Sequence, residues 1–527
     1  MDSSISCTEQ KKEKNIAIIG AGISGLLACK HAMEKGFNPV VFETRPNIGG
    51  AWSSTMDSTK LQTPKDYFQF SDFPWPDSVS ETFPNHNQVM NYIKSYALRF
   101  NIFPQIKFNA KVISIDYISS VDEDMSSWSL WGGTGEAFSR NGNWNVFVQD
   151  MLNPMEPLQV HEVDFVILCN GKFSDLPNVP DIQISKGENA FNGEVIHSMD
   201  YGAMDKIEAA KFIEDKKVVV VGNHKSGLDI AAEVVKTNGV RHPCTLVFRR
   251  AIWSGSETLA RNTFKNMNRF SELMIHKPRE GFILWFLAVL LSPLLWIFSK
   301  LMECNLKWKY PLKKYNMVPD HSFFKQLHTC TFTILPQRFY DFVKEGSLVL
   351  KKSQTINFCE NGLVLEDEDV PLETDIVIFA TGYKSDQKIS NIFTSSDFKK
   401  CITGSSAPFY RECIHPKIPQ LAILGYSESP STLFTFEMRS KWLAYFLAGK
   451  FKLPTIKEME EDAKEWEKNA RRYNNDDENY KRACVGALLQ IHCNDQLCKD
   501  MGCNPKKKKW PFQELFSTYH PSDYADI

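Results

Sequence analysis

An apolar run, IAIIG at residues 16–20, leads directly into the turn Gly20-Ala21-Gly22-Ile23-Ser24-Gly25, and this junction limits what the chain can fold into more than any other stretch. In G-x-G-x-x-G the first glycine permits a tight turn, the second lets backbone approach a pyrophosphate, and the third lets a helix pack closely on the strand before it. A helix pattern over residues 24–35 and a second apolar strand at 39–42 complete a βαβ unit. Phosphate oxygens would meet the unpaired N–H groups at the helix start. Glu43 ends the second strand 23 residues after Gly20. A carboxylate there accepts hydrogen bonds from ribose hydroxyls and repels a 2′-phosphate, so the site suits FAD or NAD and disfavours NADP. A glycine turn without a ligand is the plain alternative, and strand, helix and acid together argue against it.

The pattern recurs at KVVVVG, residues 217–222, which opens Gly222-Asn223-His224-Lys225-Ser226-Gly227 and a helix pattern through 235. His224 stands where a middle glycine would let phosphate approach. Arg249 and Arg250 follow the next strand, residues 245–248. Guanidinium groups neutralise a 2′-phosphate through paired hydrogen bonds, which makes NADPH the natural ligand here. The alternative is a degenerate structural unit whose arginines are surface charges. A third buried strand is expected at DIVIFATG, residues 375–382.

At 527 residues the chain exceeds one hydrophobic core, so more than one packed unit is expected. Its formal net charge of -2 supplies no field to recruit nucleic acid, which points to small-molecule ligands. The first residues lack the apolar core of a secretory signal, and the 13 cysteines form no repeating framework, so a reducing, cytoplasmic setting is expected. Cys484, His492, Cys493, Cys498 and Cys503 cluster in sequence without paired C-x2-C knuckles, so no metal is expected.

Residues 1–14 read as a mobile tail and 121–143 as a long loop. Residues 457–482 and the lysine run 506–509 read as solvated, charged surface. Residues 281–299 carry no charge for 19 positions. One membrane crossing would strand the segments on either side of it, and Pro293 would interrupt a straight helix. Two readings stay open: a buried or lid helix pair, and a segment dipping into the cytoplasmic face of an internal membrane beside Lys277, Arg279, Lys300 and Lys307.

Phe191-Asn-Gly193-Glu-Val-Ile-His197-Ser-Met-Asp-Tyr201 resembles the F-x-G-x-x-x-H-x-x-x-Y signature of the flavin-containing (class B) monooxygenases. Gly49-Gly50-Ala51-Trp52 resembles their GG-x-W segment, and Ala380-Thr381-Gly382-Tyr383 their ATGY motif, with an echo at Cys169-Asn170-Gly171. Residues 61–76 and the ending near residues 501–512 look most like the plant pipecolate N-hydroxylase-like group.

The resemblance implies an α/β fold of two Rossmann-like dinucleotide-binding domains, the NADPH domain (206–355) inserted into an FAD domain (15–205 and 356–527). It implies that residues 375–382 return to the first sheet, and that Gly50, Trp52, Thr63 and Gly382 belong to the cofactor-binding set. It also implies the chemistry: NADPH reduces FAD, O2 adds at flavin C4a, and the hydroperoxide oxygenates a small N- or S-containing nucleophile. The protein's part is to exclude water and supply hydrogen bonds. Related alternatives are YUCCA-type oxidative decarboxylation of a keto acid and an uncoupled NADPH oxidase that makes hydrogen peroxide. Baeyer–Villiger relatives usually carry Trp where this chain has Tyr201, which favours heteroatom oxygenation. Gln62 replaces an Asn common in animal relatives; its amide either donates to the oxygenating centre or satisfies backbone. His224 either crowds the NADPH pyrophosphate or hydrogen-bonds it, and His197 reads as a structural residue of the interdomain linker.

Overall fold

The computed structural model describes all residues except 1–13, 120–126, 139–141, 181–190, 367, 369, 403–406, 475–483 and 485. The expected tail falls almost wholly outside the described residues, as do parts of the 121–143 loop and the end of the charged 457–482 stretch.

Ten strands build two sheets. In chain order they are β1 (Asn15–Ile19), β2 (Asn38–Phe42), β3 (Ile106–Lys107), β4 (Phe165–Leu168), β5 (Glu194–His197), β6 (Val218–Val221), β7 (Cys244–Phe248), β8 (Leu348–Lys352), β9 (Ile376–Phe379) and β10 (Leu421–Ile423). The first sheet runs β10-β4-β1-β2-β3 and the second β8-β7-β6-β9-β5. Every pairing in both is parallel. Parallel strands are covered on both faces, which is why NIAII, VVVV and IVIF are apolar without alternation.

Five helices bear on the site: α1 (Ile23–Glu34), α2 (Lys225–Asn238), α3 (Phe282–Lys309), α4 (Thr432–Leu447) and α5 (Ile456–Arg471). Crossovers through α1 and α2 join β1 to β2 and β6 to β7. Helix α1 is buried from Ser24 to Ala32 because it packs against both β1–β2 and α4. That position explains its lack of a polar stripe. Lys30, buried in this helix, pairs with Asp72 at 2.5 Å.

Three expectations are corrected. The apolar run at 375–382 does not return to the first sheet: β9 pairs Ile376 with Val218 on one side and with Glu194 on the other, inside the second. The strand that does return is β10, only three residues long. An apolar run records that it will be buried and carries no label for its partner. Boundaries at 205/206 and 355/356 therefore cut across the second sheet, which takes β5 from before one and β9 from after the other.

The 281–299 segment is no buried or lid helix pair. It belongs to the single 28-residue helix α3, which continues through Pro293, and only 11% of its most apolar 18-residue window is buried. Pro293 cannot donate to the Val289 carbonyl one turn back, and the Ser292 hydroxyl donates there instead at 3.1 Å. The 121–143 stretch does connect two strands, Ala110–Ser119 and Gly142–Asp150, as expected of a long loop, and its described part is anchored by Trp131, which is fully buried with its indole N–H donating to the His415 carbonyl at 3.1 Å.

Candidate active site

The first glycine turn sits where β1 enters α1. Gly20 has φ +104, and a Cβ there would lie 2.7 Å from the Cys169 carbonyl oxygen. A Cβ on Gly25 would lie 1.8 Å from the Gly20 carbonyl oxygen, so the third glycine is what lets helix touch strand. Gly22 is different. Its Cβ would meet only Gly50 Cα at 3.4 Å, and Gly50, at φ +59, brings the GG-x-W turn against it. Glu43 follows β2 directly and is buried; its Oε2 accepts the Ala21 N–H at 2.7 Å and its Oε1 the Arg45 N–H at 3.0 Å. An ionised carboxylate has further lone pairs for ribose hydroxyls. These residues fit FAD: backbone room for a pyrophosphate, an acid for the ribose, and a buried helix start.

The second turn repeats the construction. Gly222 has φ +118 with its Cβ position 2.4 Å from the Ala380 carbonyl oxygen, and a Cβ on Gly227 would lie 1.9 Å from the Gly222 carbonyl oxygen. Cys169-Asn170-Gly171 after β4 and Ala380-Thr381-Gly382 after β9 are thus equivalents, one beside each first glycine. Gly382, whose carbonyl accepts the Asn178 N–H at 2.8 Å, belongs beside the second turn, contrary to its expected place in the first sheet. His224 resolves simply: at φ -86 and ψ -177 it has the extended backbone of Gly22, at φ -75 and ψ -176, so a side chain is accommodated. The ring is exposed.

Arg249 follows β7 as Glu43 follows β2. Both arginines are exposed; Asn223 Nδ2 donates to the Arg250 carbonyl at 2.9 Å and Gln354 Nε2 to the Arg249 carbonyl at 3.0 Å. Asn223 thereby ties the Arg250 backbone to the turn and Gln354 ties that of Arg249 to the chain after β8, leaving two exposed arginines beside the turn, which fits a 2′-phosphate. Lys225 Nζ pairs with Asp229 at 2.7 Å, and Ser226 is exposed in the first turn of α2.

Residues 49–63 join the two turns. They leave the Gly22–Gly50 contact, carry Trp52 packed edge-on to Phe68, and reach α2, where the Thr59 hydroxyl donates to Asp229 Oδ2 at 2.9 Å. Ser58 and Tyr201 both donate to Glu233, Tyr201 at 3.2 Å. Asp229 and Glu233 were missed in the sequence; their signal is a pair of acids one turn apart in the apolar stretch LDIAAEVV.

Gln62 Oε1 accepts the Ile334 N–H at 3.0 Å, so backbone is satisfied by the oxygen and the amide nitrogen is left to donate. The two open readings of Gln62 are therefore compatible. Thr63 is buried with its hydroxyl donating to the Pro430 carbonyl at 2.8 Å, a structural bond. His197 caps the helix Ser198–Ala203, its Nδ1 accepting the Met199 N–H at 3.2 Å, and burial holds its imidazole below the usual histidine range. A neutral ring in a capping role agrees with a structural residue.

Among the described residues Cys484 forms no group of three or more potential metal ligands with the other cysteines of its stretch. Its ligand atom lies within 4.8 Å of those of Cys330 and Glu428, and Glu428 is already paired with the Lys172 ammonium, which opposes a cation there.

Two parallel α/β units, each with a glycine turn at the start of its first crossover helix, one with an acid after its second strand and the other with an arginine pair in that place, have the form of two dinucleotide-binding units. Residues 13–506 match the family described as Flavin-binding monooxygenase-like, and the chain belongs to that family. It is a flavin-containing monooxygenase. It is 36% identical over 522 residues to "Probable flavin-containing monooxygenase 1" of Arabidopsis thaliana, covering 97% of this chain and 96% of the relative. Among solved structures, the open form of cyclohexanone monooxygenase superposes with a TM-score of 0.64 at 14% identity, covering 92% of this chain and 97% of that one. OTEMO in complex with FAD and NADP gives 0.60 at 16%, covering 83% and 85%.

Proposed function

We propose that FAD occupies the first turn and NADPH the second, and that the enzyme places one oxygen atom of O2 on a nucleophilic nitrogen or sulfur of a small molecule by the C4a oxygen-transfer route. The observation that carries this is the matched placement of Glu43 directly after β2 and Arg249 directly after β7, on glycine turns linked by residues 49–63. Bound flavin supplies the oxygen chemistry. The chain's residues hold the two nucleotides, exclude water and offer a donor at Gln62. Tyr201, buried and tied to Glu233, favours heteroatom oxygenation over ketone insertion, and residues 61–76 favour the plant N-hydroxylating branch of the family. Profiling of amines, thioethers and keto acids with NADPH and O2 tests the reading. A product one oxygen heavier is expected. Carbon dioxide release from keto acids alone, or peroxide accounting for all NADPH consumed, would overturn it.

Arg249→Ala combined with Arg250→Ala should lower kcat/KM for NADPH about 100-fold while changing NADH little, since two charge-assisted contacts to the 2′-phosphate are lost. Equal losses for both nucleotides would show that the pair does not read that phosphate. Gln62→Ala should raise hydrogen peroxide released per NADPH oxidised by about fivefold at unchanged FAD content, the effect of one lost hydrogen bond. An unchanged ratio would reduce Gln62 to a support for Ile334.

A further inference from the structure

Helix α3 touches the protein along one stripe: Ala288, Leu291, Leu295, Ser299, Met302 and Leu306 are buried or half-buried. Spacings of three and four residues from Ala288 to Leu306 mean that this part of the helix lies flat on the body, while residues 282–286 stand exposed at its start. A crossing orientation would require it to leave that stripe. Its outward face is apolar and bare: Phe282 is 77% exposed and Trp296 63%, with Phe286 and Leu290 open between them and Ile297 just beyond. From Phe282 to Leu301 this face runs about 30 Å. Patches of that size mark binding surfaces.

A second apolar projection adjoins it. Trp510, just before the helix Pro511–Phe516, and Phe512 on it are exposed, and this helix packs on the helix Arg269–Leu273 through Phe270 and Phe516 at 5.1 Å and through Arg269 and Glu514. The helix Arg269–Leu273 in turn packs on α3.

The charges beside this face select the partner. At the start of α3 lies a cavity of about 320 Å³ between that helix and α5, lined by Lys277, Arg279, Lys468 and Arg472 against Glu280 and Glu465, with Phe282 and Trp285 at its apolar side. Arg472 and Lys468 are held loosely, Arg472 to Glu280 at 3.6 Å and Lys468 to Glu465 at 3.5 Å, whereas Glu280 is also held by His276 at 2.6 Å and the Lys277 ammonium donates to the Glu272 carbonyl. Asn469, 5% exposed, also lines it, and its amide oxygen has no hydrogen-bond partner among the described residues. The cavity therefore calls for an anion that also carries a hydrogen-bond donor, next to a surface that calls for hydrocarbon. We infer that α3 lies in the plane of an anionic lipid bilayer, with the headgroup of an anionic phospholipid seated between α3 and α5. A phosphate beside an ammonium or hydroxyl group meets both demands, and acyl chains take up the Phe286–Ile297 face.

Flotation of the full-length, flavin-loaded protein with phosphatidylcholine vesicles, with and without phosphatidylserine, tests this. Wild type should rise with the mixed vesicles and release as salt is raised, because each cation near an anionic leaflet shifts partitioning about fivefold. Leu290→Asp with Ile297→Asp should remain in the bottom fraction with both vesicle types, while keeping flavin content and NADPH oxidation. Lys468→Glu with Arg472→Glu should lose the preference for phosphatidylserine by at least tenfold, from two reversed charges. Equal flotation of the Leu290/Ile297 variant and wild type would overturn the surface, and a serine-lipid preference kept by the Lys468/Arg472 variant would overturn the headgroup site. Wild type that ignores both vesicles and doubles in mass by light scattering would make the face an interface between copies, which also overturns the inference.

Discussion

Gly25→Ala is expected to yield a protein without bound flavin and with a lowered melting temperature. The added methyl would sit 1.8 Å from the Gly20 carbonyl oxygen. Gly20 cannot yield, because its own N–H donates to the Phe42 carbonyl at 2.8 Å and Cys169 closes its other side. Relief requires lifting α1 off β1, a strain on the order of 1–3 kcal/mol or more, and it moves the helix start that should face the pyrophosphate. Gly22→Ala is the control: its methyl meets only Gly50 Cα at 3.4 Å, so the melting point of the flavin-free protein should hold while flavin affinity falls. The flavin-to-protein absorbance ratio and a thermal melt read both. A yellow Gly25→Ala protein of normal stoichiometry would sink the assignment of FAD to this turn.

Gly227→Ala should separate the two cofactors. Its methyl would lie 1.9 Å from the Gly222 carbonyl oxygen, and Gly222 is held in turn against Ala380. The same strain, now in the second sheet, leaves the first turn untouched, so the protein should stay yellow. Anaerobic reduction of its flavin by NADPH should slow by roughly tenfold to a hundredfold, while reduction by dithionite is unchanged. NADPH reduction at the wild-type rate would mean that the second turn does not hold the nicotinamide donor.

Both glycine turns were legible in the sequence because their demands are local: a strand, a positive φ and a close approach all fall within six residues. Glu43 and the arginine pair were legible for the same reason, since the end of the second strand is fixed by counting. The partner of β9 was not. Val, Ile and Phe satisfy either sheet, and β10 is too short to announce itself against the run before it. Gln62 was recognised by resemblance, but its bond to Ile334, 272 positions away, needed the fold. The apolar run of α3 declared that it avoids water, which is as true of a protein interior as of lipid; only its contact stripe separates the two. His224 looked disruptive by comparison with glycine, yet the demand at that position is for extended backbone that any residue adopts.

The second sheet draws strands from both sides of the chain's midpoint, so the polypeptide passes between the sheets twice, from β4 to β5 and from β9 to β10. Two tethers act like the paired pins of a door. Neither nucleotide unit can part from the other without stretching both crossings, and the contacts of residues 49–63 with the second unit add a third tie. In the proposed cycle, nicotinamide nucleotide is therefore exchanged with the two sheets still joined at both crossings.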